Sequence, residues 1–457
     1  MRRTVLLVSL VAGCTVGPNY KRPEVPVPKA FSEGPAEGPT SLEGWWSGFE
    51  DPILDSLVAR AVERNLDLKI ATARIREARA TRGIAEANGF PQVTASGGYA
   101  RSKRTLSFGE PGTASAHSVF EAGFDASWEI DLFGGVRRDN EAALAQVEAV
   151  EEARNDVLVT LVADIARNYL DLRSFEQEIE ILDRTVASQK ESLLLAQARF
   201  DSGMGSELDV ARARGLLEAT AARRPALDAL RRQSIFRIAV LLGREPESML
   251  GELDAPGVVP PVAPEVPQVL PSELLTRRPD IRRSERELAA ATARIGVATA
   301  DLFPRFNLLG SFGRRSDDLT DLNASSQFWS GGLGFRWPIL AGGRIRANIR
   351  VQEARQEQAL LQYEKAVLTA LEEAANALSA HGRELRRRDS LRASVAANRR
   401  ALDLATERYT SGLESFLGVL DAQRSVYAAE DELVQSERTA AVTLIAIYKA
   451  LGGGWTS

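Results

Sequence analysis

Two side chains on which enzymes and metal proteins most often draw are nearly missing from this chain of 457 residues. It has one cysteine, Cys14, and two histidines, His117 and His381. A single cysteine excludes an intrachain disulfide, and so few soft ligands exclude a Cys/His zinc site or a Cys–His catalytic pair. No nucleophile elbow and no phosphate-cradling glycine loop is present either. No catalysis, no cofactor and no metal are therefore expected. A dominant charge is absent too. The 57 basic and 62 acidic residues are spread along the chain and leave a net −5, which removes the basic footprint of a nucleic-acid binder. Past the N-terminus no apolar run reaches the ~20 residues that a spanning helix needs. Any membrane crossing beyond that point falls to strands.

The start of the chain has a processing signature. Arg2-Arg3 and the apolar run Thr4 to Leu10 read as a signal peptide over 1–13, too short to span a bilayer. Val11-Ala12-Gly13-Cys14 resembles a bacterial lipobox, in which cleavage before the cysteine frees it for acylation. By the same resemblance Thr15, where an Asp would mark inner-membrane retention, directs the protein to the outer membrane. Residues 14–52 read as a lipidated, irregular, proline-dotted segment.

What the chain does contain, it contains twice. Ala198-Arg199-Phe200 before Ser202-Gly203 answers Glu407-Arg408-Tyr409 before Ser411-Gly412, and Leu242-Gly243 answers Leu451-Gly452, all at one offset of 209 residues. Phe90-Pro91 answers Phe303-Pro304 at 213, so small insertions separate the halves. A period this long signals a duplicated architecture. The first repeat is read over 53–253 and the second over 272–457. Between them the linker 254–271 carries Pro256, Pro260, Pro261, Pro264, Pro267 and Pro271 and reads as an extended connector.

Each repeat holds a strand pair, expected at about 91–101 and 118–131, then at about 305–315 and 328–340. From Ser118 to Ile130 the alternation places Phe120, Ala122, Phe124, Ala126, Trp128 and Ile130 on one face and Glu121, Asp125, Ser127 and Glu129 on the other. Trp329, Leu333, Phe335, Trp337 and Ile339 repeat the apolar face. In an outer-membrane barrel that face meets lipid and the polar face meets water, with Trp128 and Trp337 suited to an interfacial belt. Four strands cannot close a barrel, so several chains must pool them, and twelve strands from three chains is a workable size.

Around the strands the pattern is helical. Leu158, Leu161, Ile165, Asn168, Leu172, Phe175, Ile179, Leu182, Val186, Gln189, Leu193, Ala196 and Phe200 form a 3-4 seam of coiled-coil type. Its counterpart lapses at His381, Glu384 and Arg388. Gly135 to Gly203 contains no proline and would span ~100 Å as one helix. Shorter helices are expected to return from each Gly turn (Glu207 to Leu242, Phe416 to Leu451) and to precede each strand pair (Ile53 to Asn88, Ser272 to Asp301). Gly134-Gly135 and Gly342-Gly343 read as strand-to-helix swivels. Arg277-Arg278-Pro279-Asp280 reads as a helix start, and Asp131 as a turn carboxylate.

Taken in order, several of these segments resemble one family. They are Cys14-Thr15-Val16-Gly17-Pro18-Asn19-Tyr20-Lys21-Arg22-Pro23, Trp45-Trp46 with Phe49-Glu50-Asp51-Pro52, Asp131-Leu132-Phe133-Gly134-Gly135, Arg277-Arg278-Pro279-Asp280-Ile281, Trp337-Pro338-Ile339, and the closing Ala450-Leu451-Gly452-Gly453-Gly454-Trp455. They resemble the TolC-like outer membrane factors, lipoprotein branch, which serve RND-type efflux pumps. The resemblance implies a homotrimer with a 12-stranded barrel in the outer membrane and a helical barrel in the periplasm. It implies docking, at helical tips turning at Gly203 and Gly412, with a periplasmic adaptor and an inner-membrane RND-type transporter. Leu417, Asp421 and Arg424 match positions that constrict the resting pore, although Glu414 and Gly418 depart from some relatives. The implied role is an exit duct for small compounds; a duct for type I protein secretion or metal efflux is the alternative. An adaptor would lack two strand pairs, and a plain periplasmic scaffold would not conduct. The lipobox yields a first test. A palmitate analogue fed to cells should label the protein and fail to label Cys14→Ser; equal labelling of both would exclude acylation at Cys14.

Overall fold

The computed structural model describes residues 15–33, 42–103, 116–255, 257, 260, 265–320 and 327–454. The signal segment 1–13, Cys14 and parts of both inter-strand loops and of the linker lie outside the described residues. The chain runs α1 (Pro52–Arg64), α2 (Leu66–Ala87), β1 (Gln92–Lys103), β2 (Ala116–Ile130), α3 (Gly135–Asp201), α4 (Glu207–Ala221), α5 (Arg224–Leu241), a one-turn α6 (Leu250–Leu253), α7 (Pro271–Arg277), α8 (Pro279–Ala300), β3 (Arg305–Ser316), β4 (Gln327–Arg336), α9 (Arg344–Thr410) and α10 (Phe416–Ala450). The duplication is visible in this order, and α3 and α9 have the same length of 67 residues. No helix among the described residues is long and apolar enough to cross a membrane.

Several expected helices are broken, each at a residue with a reason. Asn65 leaves helical angles between α1 and α2. Its Oδ1 accepts from Leu68 N at 2.9 Å while its Nδ2 donates to Leu241 O at 2.9 Å. Pro225 sits in the first turn of α5 and parts it from α4, and Arg278 is extended before Pro279, which opens α8. The fourth strand stops at Arg336 and does not reach 340. Pro338 has no N–H for a ladder, and Ile339 N turns back onto Trp337 O at 3.0 Å.

Two compact units form, and neither is a sequence repeat. One takes Met1–Glu24, Arg74–Glu151 and Arg283–Glu364; the other takes Val25–Ala73, Glu152–Arg282 and Lys365–Ser457. Each draws on both halves of the chain. In the first unit the strands make one antiparallel sheet in the order β1-β2-β3-β4. The pairing of β2 with β3 joins the halves, with Gly123 opposite Gly313. An added Cβ on Gly123 would lie 2.8 Å from Phe312 O, so the strands meet there without side chains.

In the second unit α3 is buried on more than the expected seam. Val162, Ile165, Ala166, Tyr169, Leu170 and Leu172 are all essentially inaccessible. Two parallel seams would bury one stripe; the surplus comes from segments wrapped around the helix. Tyr169 Oη donates to Asp51 Oδ2, and Trp45 stacks on Tyr448 at 5.0 Å. Arg173 Nη1 donates to Ala255 O at 3.2 Å, and Glu176 Oε2 accepts from Gly257 N at 3.0 Å. The linker is thus tied down at its start. The lapse at His381 is filled by polar pairing: its buried ring Nδ1 donates to Ala440 O at 3.1 Å, and Ser436 Oγ donates to Glu384. Arg278 does more than start a helix. It is 7% exposed, and its Nη1 donates to Ala450 O at 2.7 Å while Asp280 and Glu373 balance its charge.

Between α3 and α10 lies an acidic layer. Glu178 is buried, and desolvation first, then the facing Asp431, push its carboxyl up to about 7, against the pull of Arg438. Arg438 also pairs with Asp171 at 3.7 Å. Burial raises the Asp431 and Asp171 carboxyls in the same direction. A native carboxyl raised above its unfolded value keeps its proton while the unfolded chain releases one. Folding stability therefore falls as pH rises from about 4.5 to about 7. For Glu178 alone the fall is on the order of 3 kcal/mol. Thermal melts followed by helical circular dichroism should show Glu178→Gln flattening that slope and gaining stability at pH 7.5. A variant that follows the wild-type pH dependence would contradict this account.

Candidate channel wall and helical tip

Register decides what each face of the sheet presents. Ala95 opposes Phe124, Phe124 opposes Phe312, and Phe312 opposes Trp329. Two rows down on the same face, Trp128, Leu308 and Leu333 align in the same way. All of these large side chains are well exposed in the chain. The opposite face is held by polar bonds: Ser96 Oγ donates to Asp125 at 3.0 Å, Arg315 pairs with Glu121 at 2.7 Å, and Ser311 and Ser330 share a hydrogen bond at 2.7 Å. Near its base Trp128 Nε1 donates to Gly89 O at 2.9 Å and Trp337 Nε1 to Leu302 O at 3.0 Å. An apolar face with anchored tryptophans behind a hydrogen-bonded polar face is the division that a strand wall between lipid and water requires. Among the described residues β1 and β4 are each paired on one side only.

At the end of β2 the segment after Cys14 is docked. Val16 N donates to Phe133 O at 3.1 Å. Arg138, 3% exposed, donates through Nε to Val16 O at 3.1 Å and through Nη2 to Gly17 O at 3.3 Å and Asn19 Oδ1 at 2.7 Å. Gly134, at φ +79°, has Thr15 where a Cβ would stand, and Gly17, at φ +86°, lies against the backbone of Gly296. Further on, Tyr20 Oη donates to Glu285 at 3.0 Å and Arg286 stands over its ring at 5.5 Å. Asp131 accepts from Arg137 N at 2.9 Å, a helix-capping role consistent with its turn reading. Sequence reasoning missed the docking role of Arg138. The only signal for it was an arginine in the first turn of a helix, where the dipole disfavours a cation.

The two Gly turns of the second unit have the same geometry. Gly203 at φ +76° and Gly412 at φ +72° end α3 and α9, and Met204 N donates to Arg199 O as Leu413 N donates to Arg408 O, in each case at 2.9 Å or less. This is the left-handed cap that glycine favours. The turns are brought together. Arg199 Nη1 donates to Tyr409 O at 2.9 Å and its guanidinium lies 4.5 Å from the Tyr409 ring. Beneath it Ala196, Val210, Ala213, Tyr409, Phe416, Val419 and Leu420 form a small core. That packing turns the expected gate residues outward. Phe416, Val419, Leu420 and Gln423 are buried, whereas Leu417, Asp421 and Arg424 are exposed. Arg424 pairs with Asp421 of its own helix at 3.6 Å. In the first repeat Leu208, Arg212 and Arg214 are likewise exposed. Gln423 donates to Ser192 Oγ at 2.8 Å, which fixes the rotation of α10 about its axis.

These features have counterparts in known proteins. A family model for the outer membrane efflux protein family matches residues 57–244 and 270–453, one stretch in each repeat. Nodulation protein T of Rhizobium leguminosarum bv. trifolii is 34% identical over 98% of this chain and 96% of its own length. The solvent efflux pump outer membrane protein SrpC of Pseudomonas putida is 33% identical over 98% of this chain and 97% of its own. The solved outer-membrane channel OprN superposes with a TM-score of 0.90 at 39% identity, covering 97% of this chain and 100% of that one. With an amphipathic strand wall, two capped helical tips and whole-length relatives, this chain belongs to the outer membrane efflux protein family, as an exit channel of the outer membrane.

Proposed function

We propose that three copies pool their strands into a 12-stranded barrel, and that the trimer is the outer-membrane duct of a tripartite pump. An inner-membrane RND-type transporter loads it through a periplasmic adaptor that docks at the Gly203 and Gly412 tips. The observation that carries this reading is the sheet: one apolar face, one polar face, and two edges open to further strands. Its cargo is small, amphiphilic compounds, a class favoured over secreted protein by the solvent efflux relative. Cys14 carries the acyl anchor. Its neighbour Thr15 lies against Gly134 at the end of β2, a position suited to a lipid chain entering the periplasmic leaflet.

In the same reading Leu417, Asp421 and Arg424 form the gate. They are exposed on a face of α10 that its own chain does not cover, and three such faces about a symmetry axis make an apolar ring followed by a ring of paired charges. A charge-assisted contact between copies is worth on the order of 1–2 kcal/mol, or about five- to thirty-fold in the population of a rare open state. Asp421→Ala or Arg424→Ala should raise open time or conductance in planar bilayers by that order, and should admit large antibiotics such as vancomycin into cells. The control Glu191→Ala, an exposed mid-helix change, should do neither. Tip variants that assemble and conduct like the wild type would move the constriction elsewhere.

A further inference from the structure

The two strand-to-helix junctions of the first unit are built on one plan and differ in what surrounds their arginines. In the first, Arg138 is the third residue after Gly135 and is buried on the docked N-terminal segment, while Arg137 is balanced by Asp131 at 3.3 Å. In the second, Arg346 is the third residue after Gly343 and Ile339 stands where the first has Asp131. The cation at Arg138 is kept as Arg346, while the neighbouring Asp131–Arg137 pair is replaced by Ile339 and Ile345.

The consequences are on the surface. Arg344 and Arg346 are exposed and make no ion pair or side-chain hydrogen bond among the described residues, and the first turn of α9 contains no acid. Ile339 and Leu340, 83% and 94% exposed, are the two most exposed large hydrophobic side chains among the described residues. They follow Trp337, whose Nε1 is anchored to Leu302 O and which sits at the base of the apolar sheet face. Ile339 continues the sequence parity of Trp329, Leu333, Phe335 and Trp337. These apolar residues thus follow directly on the end of the strand wall in sequence. The arginines follow within a few residues, after the chain turns at Ala341 to Arg344.

We infer that the β4–α9 junction is a binding site for an anionic phospholipid of the periplasmic leaflet. Its acyl chains lie on Ile339 and Leu340, and its phosphate is drawn to the exposed arginines of the first turn of α9, Arg344 and Arg346. Charge complementarity and continuity with the strand wall select this occupant. An interfacial tryptophan followed by cations is the order in which a membrane boundary is crossed. The inference rests on the reading of the sheet as membrane-spanning. Conductance of the same preparations reports that reading separately, so a wild type that conducts but shows no lipid preference overturns this site alone.

Native mass spectrometry of the full-length protein, exchanged from detergent into mixed phosphatidylglycerol and phosphatidylethanolamine, tests it. The wild type should retain phosphatidylglycerol with a preference of about tenfold. Arg344→Gln with Arg346→Gln should abolish the preference, and Arg344→Lys with Arg346→Lys should keep most of it. Excess inorganic phosphate should not compete, because it lacks the acyl chains. Three results would overturn the site. They are an unchanged preference in the double glutamine variant, competition by phosphate alone, or dissociation of the assembly by Ile339→Ser with Leu340→Ser at unchanged lipid retention, which would give this patch to a second copy.

Discussion

Backbone hydrogen bonding at the edges of a four-stranded sheet governs the rest of this molecule. β2 and β3 are paired on both sides, whereas β1 and β4 each present one row of N–H and C=O groups outward. In water such an edge is a liability that charge or proline blunts. In lipid it is not tolerated, because each unpaired group costs several kcal/mol and no water is at hand. The face of the sheet that bears Phe124, Phe312, Trp329 and Leu333 is apolar, so lipid is its medium. The edges must then meet strands of other copies. Channel, oligomer and lumen all follow from this constraint.

Duplication supplies the constraint economically. One repeat would give a two-stranded hairpin; two repeats meet through β2 and β3 at Gly123 and Gly313, where no side chain separates the backbones. Each long helix then ends in the same left-handed glycine cap. The repeats diverge at the tips. Arg199 of the first tip holds the last carbonyls of the second, and where the second tip has Asp421 beside Arg424 the first has Arg212.

Much of this was legible in residue order. Alternation through Phe120, Phe124 and Trp128 marked the strands and their faces because a half-lipid sheet enforces a period of two. Glycine at 203 and 412 marked the tips because only that residue adopts the required angles cheaply. The helix break at Asn65 was missed because it depends on a distant carbonyl, Leu241 O, whereas Pro279 marked the one at Arg278. The burial of α3 around Tyr169 and Arg173 was missed for the same reason, since the covering segments are remote in sequence. The docking role of Arg138 was hidden because its partners are backbone oxygens, which leave no compositional trace. The proposed gate triplet rests on family resemblance. Its outward orientation follows from the packing of Phe416, Val419 and Leu420.

The most direct test of the central claim is a cysteine scan of the two sheet edges, pairing one position on β1 with one on β4 in a Cys14→Ser background and oxidising the membranes. If β1 of one copy pairs with β4 of the next, some pairs must give a ladder of covalent species that ends at three chains, with neighbouring registers forming no link. A scan that yields only unlinked chains, or links within one chain, would contradict a barrel closed by three copies.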